Sequence, residues 1–389
     1  MYNINMYEYI SLVAIGFVLY QAYRYIKQPN ININYSKGDN NAVEHYKGWY
    51  SLGRTDELKV GEIKETTVFD QELIYYRGKS GKVYAVESKC LHLGANLGQG
   101  TVIDDNIQCP FHGWKYAGDG FLCKKSPLIE YDPLIDESFT KECKLKSYDI
   151  CEVDEMILLW FGPGTPEWEP PTILLNNQFE YRGTSTVNVK ASIVDIVNNG
   201  VDTLHFKYVH DKLLPLNNYF KIDWKLNWFL KKDFELELIE PELRYTIPYF
   251  DQINENNIFV LVLRNTYNIF KFQNHMNVLA YQVGPSLTYL FFNSNLASGL
   301  YIQQVIPHKN YSTIRTDIYT SKNTWVICSF FLLLGDLFQL LNDAKIWSNK
   351  ASSSIFKKIH LKKTKIDLNN ITWWQWFKQF YFKPPSLDW

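Results

Sequence analysis

The chain is 389 residues long, room for two modest domains, and 46% of it is apolar, enough for real cores. A formal net charge of −1 argues against nucleic acid as a partner. Six scattered cysteines are too few for a secreted disulfide framework and fit a reducing compartment better.

The first element in chain order is apolar. Ile10 to Tyr20 is a run of about a dozen residues, short of the ~20 that a spanning helix wants. Tyr7, Tyr9, Tyr20, Tyr23 and Tyr25 extend it as interface anchors, and Arg24 and Lys27 follow at once. The positive charge follows the apolar part and no small-residue cleavage site is present, unlike a cleaved signal peptide. Residues 1–27 therefore read as a membrane anchor with the bulk of the protein in the cytosol; a buried helix is the alternative. Residues 28–45, rich in Asn with Pro29 and Gly38, read as a linker.

From Trp49 the texture changes to short β-rich runs. Glu62–Phe69, Glu72–Arg77 and Val83–Glu87 are expected strands, with Gly78 to Gly81 as a turn. Two short segments follow, Cys90-Leu-His92 and Cys109-Pro-Phe-His112-Gly-Trp114, separated by sixteen residues. Each pairs one thiol with one imidazole. Two Cys on one iron and two His on the other is the ligand set of a Rieske [2Fe–2S] centre. Two loop tips closing over a cluster would suit these segments, with Asp105-Asn106 as a turn between them. A structural Cys2His2 zinc site is the alternative, although zinc fingers usually group their cysteines and histidines separately. A Gly- and Pro-rich stretch, Gly162 to Pro171, marks a boundary after this all-β region of about residues 46–160.

The second half opens with a strand at Tyr181–Lys190 and a helical stretch from Ile193 to about Tyr208. Phe234–Ile239, Ile258–Leu263, Val278–Val283, Leu287–Phe292 and Tyr301–Ile306 are expected strands of an antiparallel sheet. Trp325–Leu341 reads as an apolar helix and Ile371–Phe382 as an aromatic one. The five lysines between Lys357 and Lys365 suit a solvated face.

His205, His210 and Asp202 fall within nine residues of a chain with eight histidines. Two His and one carboxylate form the facial triad of non-haem Fe(II) oxygenases. Residues five apart on a helix differ by about 140° in azimuth, so His205 and His210 meet only if the helix ends or bulges between them. The third ligand then comes from elsewhere. Asp343 and Asp336 are the candidates, and Asp343 is preferred because Asp336 can be a cap or face solvent.

With these residues in view, the sequence resembles the Rieske non-haem iron oxygenases from Gly48-Trp49-Tyr50 onward. The resemblance rests on both Cys/His half-motifs, on the pattern Asn199, Asp202, His205, His210, and on the pattern Asp343, Ile346, Trp347, Lys350. The N-terminal apolar stretch and the Gly-Trp-Tyr entry are similar to those of the Neverland-type cholesterol 7-desaturases. Asn198 stands where the family commonly has Glu. Respiratory-type Rieske proteins carry a Cys after each loop, and here Ala95 and Phe111 occupy those positions.

The resemblance implies an α+β chain: a membrane helix, an all-β Rieske domain over 46–160, and a helix-plus-antiparallel-sheet (helix-grip) catalytic domain over 165–389. It implies a [2Fe–2S] cluster on Cys90, His92, Cys109 and His112, and mononuclear Fe(II) on His205, His210 and Asp343. O2 is the implied cosubstrate, with electrons from NAD(P)H through a reductase or ferredoxin. The implied assembly is a homotrimer in which Asp202 bridges the cluster of one subunit to the iron of its neighbour. The implied reaction is a C7–C8 double bond in cholesterol or a related sterol, giving 7-dehydrocholesterol, at a membrane such as the endoplasmic reticulum. Sterol hydroxylation or side-chain dealkylation by the same iron is the near alternative. A membrane-bound Rieske electron carrier and a zinc-stapled interaction module are alternatives of other classes.

Overall fold

Alternating and continuous apolar runs set the strands of this chain, seen in a computed structural model that describes residues 44–124, 143–172, 179–202, 204–212, 220–225, 257–269, 272–294, 297–349 and 368–383. The expected anchor, most of the linker, the strand Phe234–Ile239 and the Lys357–Lys365 run lie outside these residues. Among the described residues, no helix is long and apolar enough to cross a membrane.

The first half is all-β. Strands Ile63–Val68, Gln71–Arg77 and Val83–Glu87 form an antiparallel meander close to the expected bounds, joined at one edge by Ser147–Tyr148. A second sheet sets Met156–Phe161 between Gly48–Arg54 and Ile150–Val153. All six residues of Met156–Phe161 are buried, which is why this strand reads as an unbroken apolar run. A third sheet of four short strands, Thr101–Ile103, Asn106–Gln108, Lys115–Tyr116 and Leu122–Lys124, carries the second Cys/His segment. Its first turn falls at Asp104-Asp105, one residue earlier than expected, with Asp104 in the left-handed region at φ 55°.

The second half is a seven-stranded antiparallel sheet: β1 Phe179–Val189, β2 Phe220–Lys225, β3 Ile258–Ile269, β4 Phe272–Val283, β5 Leu287–Ser294, β6 Ser298–Pro307 and β7 Ser312–Ser321. The order is β1-β7-β6-β5-β4-β3-β2, a meander whose last strand returns beside the first. Among the described residues, four α-helices complete it: α1 Ile193–Asn198, α2 Phe206–Val209, α3 Val326–Trp347 and α4 Leu368–Phe377. The expected continuous helix to Tyr208 is therefore two short helices, broken over 199–205. The late helix runs two turns further than expected and includes Asp343. The aromatic C-terminal helix is shorter than expected: Tyr381–Phe382 leave it to pair with His45–Tyr46.

One buried core runs across both halves, from Tyr46, Trp49 and Tyr50 through Leu158, Val189 and Tyr289 to Trp373 and Phe377. Polar clamps reinforce the junction. Arg315 holds Glu57 in two bonds of 3.0 and 2.8 Å, and Arg54 Nη1 donates to the Tyr319 hydroxyl at 2.6 Å. A smaller core, with Ile74, Tyr76, Val86, Leu97, Ile107, Tyr116, Leu122 and Leu145, supports the Cys/His loops.

Candidate metal centres

Both Cys/His segments fold into the same turn. Cys90 N–H donates to the Ala95 carbonyl at 2.9 Å, and Gly94 N–H returns to the Cys90 carbonyl at 2.9 Å. Cys109 N–H donates to Trp114 at 2.7 Å, and Gly113 N–H returns to Cys109 at 3.1 Å. Gly94 and Gly113 sit at φ 71° and 73°, where a Cβ is disfavoured, so a glycine four residues after each Cys is a conformational requirement.

These turns bury the thiols and leave the imidazoles at the tips. Cys90 and Cys109 are buried, His112 is half-buried and His92 is exposed. The two Nδ1 atoms approach to 3.2 Å, and the His92 ring stacks on Trp114 at 4.6 Å. The Tyr116 hydroxyl accepts from Leu91 N–H at 3.2 Å, which turns its own proton toward Cys90 Sγ at 3.2 Å. Burial pushes the Cys90 thiol up, and the nearby Tyr116 hydroxyl draws it back down. Buried, adjoining thiols with a donor aimed at one sulfur suit a cationic group that keeps them as thiolates. Among the described residues, this quartet is not a group of three or more donors tight enough for one ion. Paired imidazoles beside adjoining buried thiols fit two pairs on two irons.

The second constellation uses two helices and the break between them. Ser192 caps α1 by accepting from Asp195 N–H at 3.2 Å. The chain then leaves the helix at Asn199. His205 directly precedes α2 and His210 directly follows it, with His210 at φ −117°, ψ 37°. The expected helix terminus between the two histidines is thus what lets both point at one place.

Asp343 on α3 completes the group. His210 Nε2 lies 3.1 Å from Asp343 Oδ2, and His205 Nε2 lies 3.8 Å from Oδ1. One donor atom from each of the three residues lies within 4.8 Å of the others. His210 and Asp343 are buried and His205 is nearly so. Burial pulls the His205 pKa down more than the Asp343 charge raises it, which favours the neutral imidazole that binds metals. Two imidazoles flanking α2 and one carboxylate from α3 fit an iron ion with open positions.

Asp336 is not part of this group. Its Oδ2 accepts from Ser185 Oγ on β1 at 3.1 Å, and it lies within α3 rather than at a cap, partly buried. Asp202 makes a contact within the chain as well. Its backbone carbonyl, rather than its carboxylate, bonds His205 Nδ1, and its side chain is half-buried. That bond fixes the tautomer and leaves Nε2 toward Asp343. Sequence reasoning assigned no role to Asn199, whose amide Nδ2 lies 2.9 Å from Asp343 Oδ2 and 3.1 Å from His205 Nε2. It also missed Tyr116, for which the short spacing from Trp114 was the available signal.

Comparison with known proteins agrees with this geometry. Residues 48–133 match the Rieske [2Fe-2S] domain, and residues 160–381, more than half of the chain, match the 3-Ketosteroid 9alpha-hydroxylase C-terminal domain. A cholesterol 7-desaturase of Ciona intestinalis is 27% identical over 343 residues, covering 86% of this chain and 68% of the relative. A cholesterol 7-desaturase of Xenopus laevis is 28% identical over 368 residues, covering 88% and 75%. The crystal structure of dicamba monooxygenase bound to 3,6 dichlorosalicylic acid shares the fold, with a TM-score of 0.62 at 14% identity over 86% of this chain and 96% of that one. With a Rieske half for a [2Fe–2S] cluster and a second half built to hold a lone iron for O2 chemistry, the chain belongs to the Rieske oxygenases with a 3-ketosteroid 9α-hydroxylase C-terminal domain, and is an oxidoreductase.

Proposed function

We propose that this chain introduces the C7–C8 double bond into cholesterol or a closely related sterol. The observation that carries the reading is the convergence of His205, His210 and Asp343, in a chain whose relatives over most of its length are named cholesterol 7-desaturases. Cys90, His92, Cys109 and His112 would hold the [2Fe–2S] cluster, and His205, His210 and Asp343 the mononuclear iron. When bound, these groups supply electron relay and O2 activation. Overall, one CH–CH unit loses two hydrogens, and O2 takes them with two electrons and two protons to give two waters.

The protein's own part is positional. The Asp202 carbonyl holds the His205 ring, the Asn199 amide steadies Asp343, and the apolar face of α3 against the sheet excludes water and orients the sterol. Electrons come from a separate reductase or ferredoxin. A homotrimer fits two exposed apolar patches: Leu91, Leu93 and Phe111 around the cluster histidines, and Leu204 and Tyr208 beside Asp202 and His205. Head-to-tail closure would cover one with the other and let Asp202 bridge the two centres. We place the domain boundary between residues 160 and 165, and the membrane anchor in residues 1–27, with the catalytic part on the cytosolic side of the endoplasmic reticulum.

The test is sterol profiling of cholesterol-fed cells that express the chain, beside a His205→Ala control. A product lighter by two hydrogens, absent from the control, is expected. A product heavier by one oxygen would establish the second reading, sterol hydroxylation, which the match to the 3-ketosteroid 9α-hydroxylase domain favours. No new sterol would leave an electron carrier.

A further inference from the structure

Asp336 lies on the same helix as Asp343, two turns earlier. Seven residues advance a helix by about 10 Å and return to within about 20° of the same direction. The two carboxyls therefore share one face of α3, together with Leu333, Leu337 and Leu340. That face is turned to the sheet. A Cβ on Gly183 of β1 would touch Leu333 at 3.3 Å, and Ser185 of β1 donates to Asp336 at 3.1 Å.

Asp336 and Tyr301 of β6 are each only partly buried. Both therefore keep accessible surface beside α3. The two groups are neighbours, since burial and the Asp336 charge together push the Tyr301 phenol up. The Thr316 hydroxyl stands nearby without a well-directed bond to the carboxyl. A carboxyl can take several hydrogen bonds, and Ser185 uses one. A desolvated acid with capacity to spare is costly unless a ligand uses it.

We infer that Asp336 is the specificity residue that receives the 3-hydroxyl of the sterol. The inference rests on the sterol reading above. In a rigid fused ring, five bonds of about 1.5 Å put the 3-oxygen about 6 Å from C7. A sterol anchored at Asp336 and lying along α3 then brings C7 to within about one van der Waals contact, about 4 Å, of the Asp343 end. The anchor and the reacting carbon are matched in spacing to the two acids. The carboxylate accepts the hydroxyl proton in a hydrogen bond, and a 3-ketone has no proton to offer.

The test is equilibrium binding of radiolabelled cholesterol to the metal-loaded full chain in detergent at pH 8, with competition by unlabelled cholesterol and by cholest-4-en-3-one. The wild type is expected to prefer cholesterol by about 10- to 100-fold. Asp336→Asn, whose amide donates to a ketone, is expected to bring that ratio to within about threefold, with the visible cluster spectrum and iron content unchanged. Asp336→Leu is expected to weaken cholesterol binding and lose the preference. If Asp336→Leu loses its cluster spectrum, Asp336→Asn decides. A preference unchanged in Asp336→Asn overturns the assignment of Asp336 and leaves the sterol reading standing. A wild type that binds neither sterol overturns both.

Discussion

Asn199 and Asp343 are joined by a hydrogen bond of 2.9 Å from amide to carboxylate, across the gap between the broken helix and α3. The same amide nitrogen lies 3.1 Å from His205 Nε2. A partner of this kind orients ligands, and its loss typically costs 10- to 100-fold in metal affinity or activity. Asn199→Leu is therefore expected to lower iron retention and sterol turnover by about that factor while the visible cluster absorption stays. Iron analysis after dialysis checks it, and full iron retention would remove Asn199 from this role.

Asp343→Ala is expected to empty the mononuclear site and spare the cluster spectrum, because it removes one of the three converging donors. Asp336→Ala is expected to keep the iron. The reverse pattern in metal analysis would exchange the roles of the two acids.

Asp202→Asn leaves intact the backbone carbonyl that bonds His205. Both metals are expected to stay, with turnover reduced at least tenfold if the carboxylate links neighbouring subunits. Iron loss in this variant would mean that the side chain supports the site directly.

Tyr116→Phe removes the hydroxyl aimed at Cys90 Sγ. A hydrogen bond to a cluster ligand stabilises the reduced, more negative form. Without it the midpoint potential is expected to fall by about 60 mV, the equivalent of about 1.4 kcal/mol for one electron. Potentiometry of the visible spectrum measures the shift; an unmoved midpoint would mean that the bond is not felt by the cluster.

Burial raises the Asp336 carboxyl from 3.8 to about 6, against the bond from Ser185 and the nearby Thr316 hydroxyl. A folded-state pKa above the unfolded one means that the folded state holds its proton more tightly. Stability is then greatest below about pH 4 and declines as pH rises through about 6, by up to about 3 kcal/mol. Asp336→Asn lacks this term. Its melting temperature without sterol is expected to gain on that of the wild type between pH 5 and pH 7. A gap independent of pH would show that the carboxyl is not desolvated.

Much of the site was legible because metal ligation imposes residue type and spacing along short stretches. The Cys/His segments declare themselves in this way. The azimuth of His205 and His210 required the helix to stop, as it does. What was not legible depends on contacts distant in sequence. Strand β7 went unread because it buries Thr316, Asp317 and Thr320, whose partners include Gln304 of β6 and Ser329 of α3. Hydrophobic periodicity cannot register polar groups that are satisfied across a sheet. The Tyr381–Phe382 strand exists only through His45–Tyr46, more than three hundred residues away. The Asp202 carbonyl bonds His205, and no side-chain motif reports a backbone atom.

The ribbon of His45–Tyr46 with Tyr381–Phe382 ties together two segments more than three hundred residues apart. A tug on the segment leading into His45 meets those hydrogen bonds and the Tyr46–Phe377 ring contact before it reaches either metal-donor cluster. The join of these two segments can thus bear load while the chemistry stays slack.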